Sequence, residues 1–385
     1  MSPTRSSKLA INQLREREHL DSAAVDQFLA THDVPVVEGS RVTFLYRGEA
    51  DSVWLKHRVH GLPDGQSLKR IRGTDLWYVV VHLPEKSRVE YKLDVVRAGR
   101  GDLIDDPLNP RRAANPIGSS SVCRALGYEP PEWAEHDPDA RPGVLEQLVV
   151  PSRAMKRDCP VTVYVPARFR RAAVYPLLVV HDGGDYLDYA SLGTVLDNLI
   201  HRSEMAPVVV ALLHPGDRLK EYANSAAHAR FVTDELVSEM EGIFPLVSQR
   251  SGRALMGSSF GGVAALSTAV RRPKAYGSLL LQSASVAFTD IGMEHGGGPV
   301  FDPVVKFVNA FRERPRKVAD RVFMSCGIYE PLIYPNRSMV PLLQSTGMDV
   351  RYVESRDGHN WHSWRDRLRE GLTWLFPGPH RLVYE

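Results

Sequence analysis

The run Arg253-Ala-Leu-Met-Gly-Ser-Ser-Phe-Gly-Gly-Val-Ala-Ala-Leu266 decides how the rest of the chain is read. Its apolar residues 254–256 suit a short buried strand, and the small residues from Gly261 onward open a helix. Between them Gly257-Ser-Ser259-Phe-Gly261 fits G-x-S-x-G, the pattern of a tight strand-to-helix turn that lifts a serine hydroxyl clear of a sheet edge. A side chain at either flanking glycine would collide with neighbouring backbone in so tight a turn. The pattern alone also occurs in inert Gly/Ser loops. The strand before it and the small-residue helix after it supply the context that the chemistry demands, and Ser259 is the serine so lifted.

At 385 residues the chain is longer than a single hydrophobic core usually grows, which predicts two domains. With 43% hydrophobic and 24% charged residues it has the make-up of a soluble protein, and a net charge of +2 gives no reason to expect nucleic acid or a membrane as partner. No apolar run is long enough to span a bilayer, and Met1-Ser-Pro-Thr-Arg-Ser-Ser-Lys8 leads into polar sequence, so a cleaved secretion signal is not expected. Cys123, Cys159 and Cys326 are odd in number and widely spaced, with no ligand-like pairing. A reduced cytoplasm is the expected location, with neither metal nor cofactor; the oligomeric state stays open.

Residues 8–31 carry apolar side chains at helical spacing and predict one or two amphipathic helices. From residue 41 the period changes to two: segments 41–47, 52–57, 76–82 and 88–96 read as strands separated by glycine and proline, which predicts a small immunoglobulin-like β-sandwich. Proline and acid crowd residues 127–143, the expected interdomain linker, and the division is placed at 1–135 for the front module and 136–385 for the second domain. Beyond it strands (145–150, 161–165, 177–181, 208–213, 254–256, 278–282, 321–326, 349–354) alternate with helical patterns (194–202, 229–244, 262–271, 304–314, 336–345, 364–376). Such alternation predicts an α/β domain of the α/β-hydrolase kind, with a mostly parallel central sheet covered on both faces and its site at the carboxyl edge.

A serine is a poor nucleophile at neutral pH and needs a base, itself oriented by an acid. In this fold the acid and then the histidine follow the serine, each after a later strand. Glu330 follows the 321–326 strand in Gly327-Ile-Tyr-Glu330-Pro, and His359 follows the 349–354 strand in Ser355-Arg-Asp-Gly-His359-Asn-Trp-His362-Ser-Trp364. A surface loop histidine is the plain alternative for His359, but Gly358 permits a sharp turn and Trp361 and Trp364 can wall the ring. His362 is a competing base, better placed to face substrate with Trp361. For the acid, Asp320 precedes its strand and would lie at the wrong edge, whereas Asp357 stays as an alternative to Glu330. The oxyanion needs two amide donors: Phe260, next to the nucleophile, and Gly184 or Asp185 in the glycine-bearing loop 179–186. In Asp217-Arg218-Leu-Lys-Glu221-Tyr222, Arg218 either pairs with Glu221 or meets an anionic or phenolic substrate. Gly296-Gly-Gly-Pro299 has no preceding strand and no Lys-Ser/Thr, and reads as a flexible loop, not a phosphate cradle.

Taken in order, Val42-Thr-Phe-Leu-Tyr-Arg-Gly-Glu-Ala50, Gly73-Thr-Asp-Leu-Trp-Tyr78, Asp106-Pro-Leu-Asn-Pro110, Asp182-Gly183, Arg218-x-x-Glu221-Tyr222, Met256-Gly-Ser-Ser259-Phe-Gly-Gly262, Gly327-Ile-Tyr-Glu330-Pro331 and Gly358-His359-x-x-x-x-Trp364 resemble the enterochelin (ferric enterobactin) esterases, in the esterase D group of α/β-hydrolases. The resemblance spans nearly the whole chain and implies a Ser259–His359–Glu330 triad. It also implies hydrolysis of carboxylic esters, in the namesake case the trilactone of a catecholate siderophore, releasing iron inside the cell. Where the family reads Gly-Gly-His-Asp, this chain has Asp357-Gly-His-Asn360, which bears on substrate contacts. The expectation is a serine esterase acting on a small-molecule ester. A feruloyl- or acetyl-type esterase or an acyltransferase on the same triad is the alternative, and a binding protein with a vestigial hydrolase half is the rival from another class. In the front module Trp54, Trp77 and Tyr78 are either substrate contacts or core.

Overall fold

The computed structural model describes residues 8–63, 65–288 and 299–379; Gly296-Gly-Gly therefore lies outside the described residues. The chain forms two units, one running to Glu129 and including Arg356–Gly358, the other comprising Pro130–Ser355 and the chain from His359 onward.

In the first unit, the amphipathic spacing of residues 8–31 forms helices Ala10–Arg15 and Ser22–Thr31, the second capped by the Asp21 carboxylate, which accepts the Ala24 N–H at 2.8 Å. Two antiparallel sheets follow. One runs Val36–Glu38, Arg41–Arg47, Leu76–His82, Lys69–Arg70; the other runs Gly65–Ser67, Ser52–His57, Arg88–Arg97, Gly118–Arg124, Arg112–Asn115, with Arg100–Ile104 also paired to Arg88–Arg97. The rings of Phe44 and Tyr91, one from each sheet, meet edge to face at 4.8 Å between centroids. The unit is only in part the all-β module expected. Ile11, Leu14, Val25 and Phe28 from the helices share a core with Val36, Leu45 and Leu76 from the first sheet, because an amphipathic helix must bury its apolar stripe somewhere. Trp77 belongs to that unit's interior, its indole N–H donating to Gly48 O at 3.0 Å, whereas Trp54 is 37% exposed with the Lys56 ammonium over its ring. Tyr78 is half-buried under Arg15.

The second unit is built on one eight-stranded sheet in the order Val144–Ser152, Arg157–Val165, Val209–Leu213, Leu177–Val180, Arg253–Ser258, Ser278–Gln282, Arg321–Gly327, Asp349–Ser355. The first two strands pair antiparallel and the remaining six are mutually parallel, giving a mixed sheet. Leu177-Leu-Val-Val180 and Ser278-Leu-Leu-Leu-Gln282 are buried throughout, as unbroken apolar strands covered on both faces must be. Successive residues face opposite layers. Leu177, Val179, Leu279 and Leu281 join a core with helix Phe260–Arg271, while Leu178, Val180 and Leu280 join one with helices Leu192–His201 and Leu368–Leu375. No helix among the described residues is long and apolar enough to cross a membrane.

Five neighbouring parallel strands, from Leu177–Val180 to Asp349–Ser355, end at one edge. Asp182, Ser259, Ser283, Glu330 and His359 all follow the carboxyl ends of those strands, one after each.

Candidate active site

Ser259 stands between the Arg253–Ser258 strand and the Phe260–Arg271 helix with φ 53° and ψ −121°, a conformation that a side-chain-bearing residue adopts at a cost. Its surroundings hold it there. The Ser259 N–H donates to Gln282 O at 2.9 Å, and its carbonyl accepts the Ser285 N–H at 3.0 Å and the Gly262 N–H at 3.1 Å. Gly257 is required, because a Cβ there would lie 2.3 Å from the Gly261 carbonyl carbon. The half-buried Ser259 hydroxyl lies 3.2 Å from the hydroxyl of Ser285 and makes no hydrogen bond to His359. Catalytic hydrogen bonds often form only once substrate is bound.

Glu330 is 1% exposed and fully engaged. Its Oε1 accepts from the Ser283 hydroxyl at 2.6 Å and the Gly327 N–H at 2.8 Å, and its Oε2 lies 2.5 Å from His359 Nδ1. Burial works to raise its pKa, but the His359 charge and the hydrogen bonds outweigh that and leave it below the ordinary value, so the carboxylate is ionised. An ionised carboxylate can only accept, so His359 Nδ1 carries the proton that faces Oε2, and in the neutral ring Nε2 is the basic nitrogen. Trp364 stands edge-on to the imidazole at 5.0 Å, and its indole N–H donates to the Ser283 hydroxyl at 2.9 Å, so one serine ties the Glu330 carboxylate to the indole that walls the His359 ring.

The two alternatives to this pairing go elsewhere. Asp357, in the first unit, is held by the buried Arg88 guanidinium at 3.2 Å, and Glu330 pairs with His359 and not with His362, which sits on the short helix Trp361–Arg365. Trp361 on that helix packs edge-on against Tyr186 at 5.2 Å and Trp364 at 4.7 Å.

The stretch expected as a glycine loop is a helix, Gly183–Tyr189, entered through Asp182 at φ 56°. A Cβ on Gly183 would lie 2.4 Å from Leu212 Cβ, so only glycine lets that helix start against the neighbouring strand. The Tyr186 N–H is the first to close a helical bond, to Asp182 O, so the amides of Gly184 and Asp185 have no intrahelical acceptor. Phe260 stands likewise in the first turn of its helix. Burial and the like charge of Asp182 raise the Asp185 pKa.

Arg218 does not pair with Glu221. Its Nε and Nη2 take both oxygens of the buried Asp182 at 2.8 and 2.7 Å, while Glu221 receives Arg157 at 2.8 and 2.9 Å. A bidentate fork is the preferred geometry of a guanidinium on a carboxylate, and here it pins the residue that starts the Gly183–Tyr189 helix. Sequence reading missed Asp182 as the partner of Arg218, and it missed Ser283 and Ser285. The only signal was the Ser-Ala-Ser run directly after a buried strand. No group of three or more His, Cys, Asp or Glu among the described residues could hold a metal ion.

Residues 152–375 match the family described as "Putative esterase", and residues 41–133 match "Enterochelin esterase, N-terminal". The chain is 23% identical over 335 residues to the Iron(III) enterobactin esterase of Escherichia coli O6:H1 (strain CFT073), covering 81% of this chain and 82% of that one. It is 24% identical over 416 residues to the Iron(III) enterobactin esterase of Dickeya dadantii (strain 3937), covering 91% and 92%. The enterobactin esterase of Shigella flexneri, solved in the presence of enterobactin, superposes with a TM-score of 0.70 at 22% identity over 87% of this chain and 92% of that one, a likeness of fold. With the esterase match spanning more than half of its length and the front-module match preceding it, the chain belongs to the enterochelin esterase-like family and is a hydrolase acting on esters.

Proposed function

We propose that the protein is a serine esterase of the enterochelin type that opens the ester bonds of a catecholate siderophore trilactone inside the cell, with Ser259, His359 and Glu330 as its triad. The observation that carries this reading is the buried, ionised Glu330 at 2.5 Å from His359 Nδ1, which leaves Nε2 as the ring's basic nitrogen, at the same sheet edge as the strained Ser259. Ser259 Oγ attacks the ester carbonyl carbon and its proton passes to Nε2; the carbonyl electron pair moves to oxygen, where the N–H groups of Phe260 and of Gly184 or Asp185 receive it. The imidazolium then gives its proton to the departing alcohol, and water repeats the sequence on the acyl-enzyme.

Arg218 has two of its five donors on Asp182 and keeps the Nη1 pair for an anionic or phenolic oxygen, the chemistry of a catecholate. Trp361 and His362, next to the base, are the proposed apolar and polar contacts. The front module is taken as residues 1–135 and the catalytic domain as 136–385. The names of the relatives and the enterochelin-type front module favour the siderophore over other esters.

Comparing kcat/KM for ferric enterobactin with that for feruloyl, acetyl and simple aryl esters tests the substrate. The reading requires ferric enterobactin to exceed the others by at least tenfold. A preference for feruloyl or acetyl esters would move the enzyme to a carbohydrate or aryl ester, and product carrying an added alcohol would make it an acyltransferase.

A further inference from the structure

Ser285 follows the Ser278–Gln282 strand and is 3% exposed. Among the described residues its hydroxyl has one hydrogen-bond partner, the Ser259 hydroxyl at 3.2 Å. Burying a hydroxyl costs free energy unless it is bonded, and the neighbours Ala284 and Val286 are fully buried and apolar. An alanine at 285 would suit that packing, so the hydroxyl has its use at the nucleophile.

The backbone fixes it there. The Ser285 N–H donates to Ser259 O at 3.0 Å, Ala284 O accepts from the Asn336 amide at 2.9 Å, and the Ser283 N–H donates to Ser325 O at 2.7 Å. Ala284 Cβ also closes on Gly262, where an added Cβ would come within 2.7 Å. The hydroxyl is therefore held on a braced segment and does not swing on a free loop.

We propose that Ser285 is a further catalytic residue, a donor to Ser259 Oγ while that oxygen loses its proton; the inference rests on Ser259 being the nucleophile. As the bond from Oγ to the carbonyl carbon forms, the Ser259 proton goes to His359 Nε2 and the carbonyl pair goes to oxygen. Ser285 keeps its own proton throughout and directs it at an Oγ lone pair. Negative charge building on Oγ is stabilised by a donor already in place, and a hydrogen bond to a charged group is worth more than one to a neutral hydroxyl. The same bond also holds the free hydroxyl in one rotamer.

The test is Ser285→Ala in the full-length protein, read by fluorophosphonate labelling, by steady-state hydrolysis of an aryl acetate and by thermal unfolding. In labelling, the Oγ–P bond forms, P–F breaks and fluoride leaves, so the rate reports the nucleophile apart from any natural substrate. Labelling should stay on Ser259 but slow about ten- to a hundredfold, with kcat reduced alike and KM and the unfolding midpoint unchanged. Labelling and turnover at the wild-type rate would overturn the role, as would a slower rate that comes with a lowered midpoint and altered KM, the signature of lost packing. Wild-type protein labelled elsewhere than Ser259 would remove the nucleophile assignment itself, a separate result from an unaffected Ser285→Ala.

Discussion

Two imidazole settings in the second unit differ in the group that faces the inner nitrogen and in how deeply each ring is buried. His359 turns Nδ1 to the ionised Glu330, and its side chain is 36% exposed. His181 turns Nδ1 to the carbonyl of Met256 at 2.9 Å and lies fully buried against His228, the two Nε2 atoms 3.0 Å apart. A carbonyl only accepts, so His181 carries its proton on Nδ1 and receives one from His228 Nε2, which leaves His228 Nδ1 as a buried lone pair with no partner among the described residues. Burial, the first cause, lowers His181 to about 4 and takes His228 well below its usual value. The carboxylate makes one ring a base that can hold a charge, whereas the carbonyl and the apolar packing make the other pair a neutral strut beneath the site.

Removing groups from the first setting should have the largest effect. Ser259→Ala and His359→Ala each cost on the order of a millionfold in kcat on any ester, with the fold retained by circular dichroism. Glu330→Gln is smaller, about ten-thousandfold, because the neutral amide still bonds Nδ1 but no longer favours the imidazolium. Asp357→Asn should leave catalysis within about tenfold, since its carboxylate serves Arg88; the reverse ranking of Glu330→Gln and Asp357→Asn would move the acid to Asp357.

The pH profile sharpens the contrast. Glu330 is depressed below its ordinary 4.5, so it stays ionised as the pH falls to that value and should add no proton of its own to the acid limb of kcat/KM. A two-proton limb would break the assignment. The smallest effect lies in stability. The folded pKa values of His181, about 4, and of His228, well below its usual value, both lie under the unfolded 6.5, so the stability they confer is fully present above 6.5 and is lost as the pH falls below it. Between 6.5 and about 4, each pH unit should remove roughly 1.4 kcal/mol through His181. In urea titrations His228→Gln should flatten this dependence while leaving neutral-pH turnover intact.

The strand-turn-helix around Ser259 was legible because sterics confine such a turn to small residues, and the placing of Ser259, Glu330 and His359 at one sheet edge was legible because each follows a strand end in chain order. What sequence could not show are contacts between strand ends far apart in the chain. Arg218 with Asp182, Glu221 with Arg157 and Ser283 with Glu330 each join residues 36, 64 and 47 positions apart, and their pairing is set by strand order. Local cues misled at Gly183-Gly184, which suggested a loop; the left-handed turn at Asp182 starts a helix there. The helices over 8–31 were visible in their spacing, but their share in the core of the front unit depended on which sheet face lay open.

The most direct measurement is mass spectrometry of the enzyme quenched during turnover of an aryl acetate, with peptide mapping of the trapped acyl group. Acetyl should map to Ser259 and be absent in Ser259→Ala, which should not turn over. Acyl found on another residue, or undiminished hydrolysis by Ser259→Ala, would contradict it.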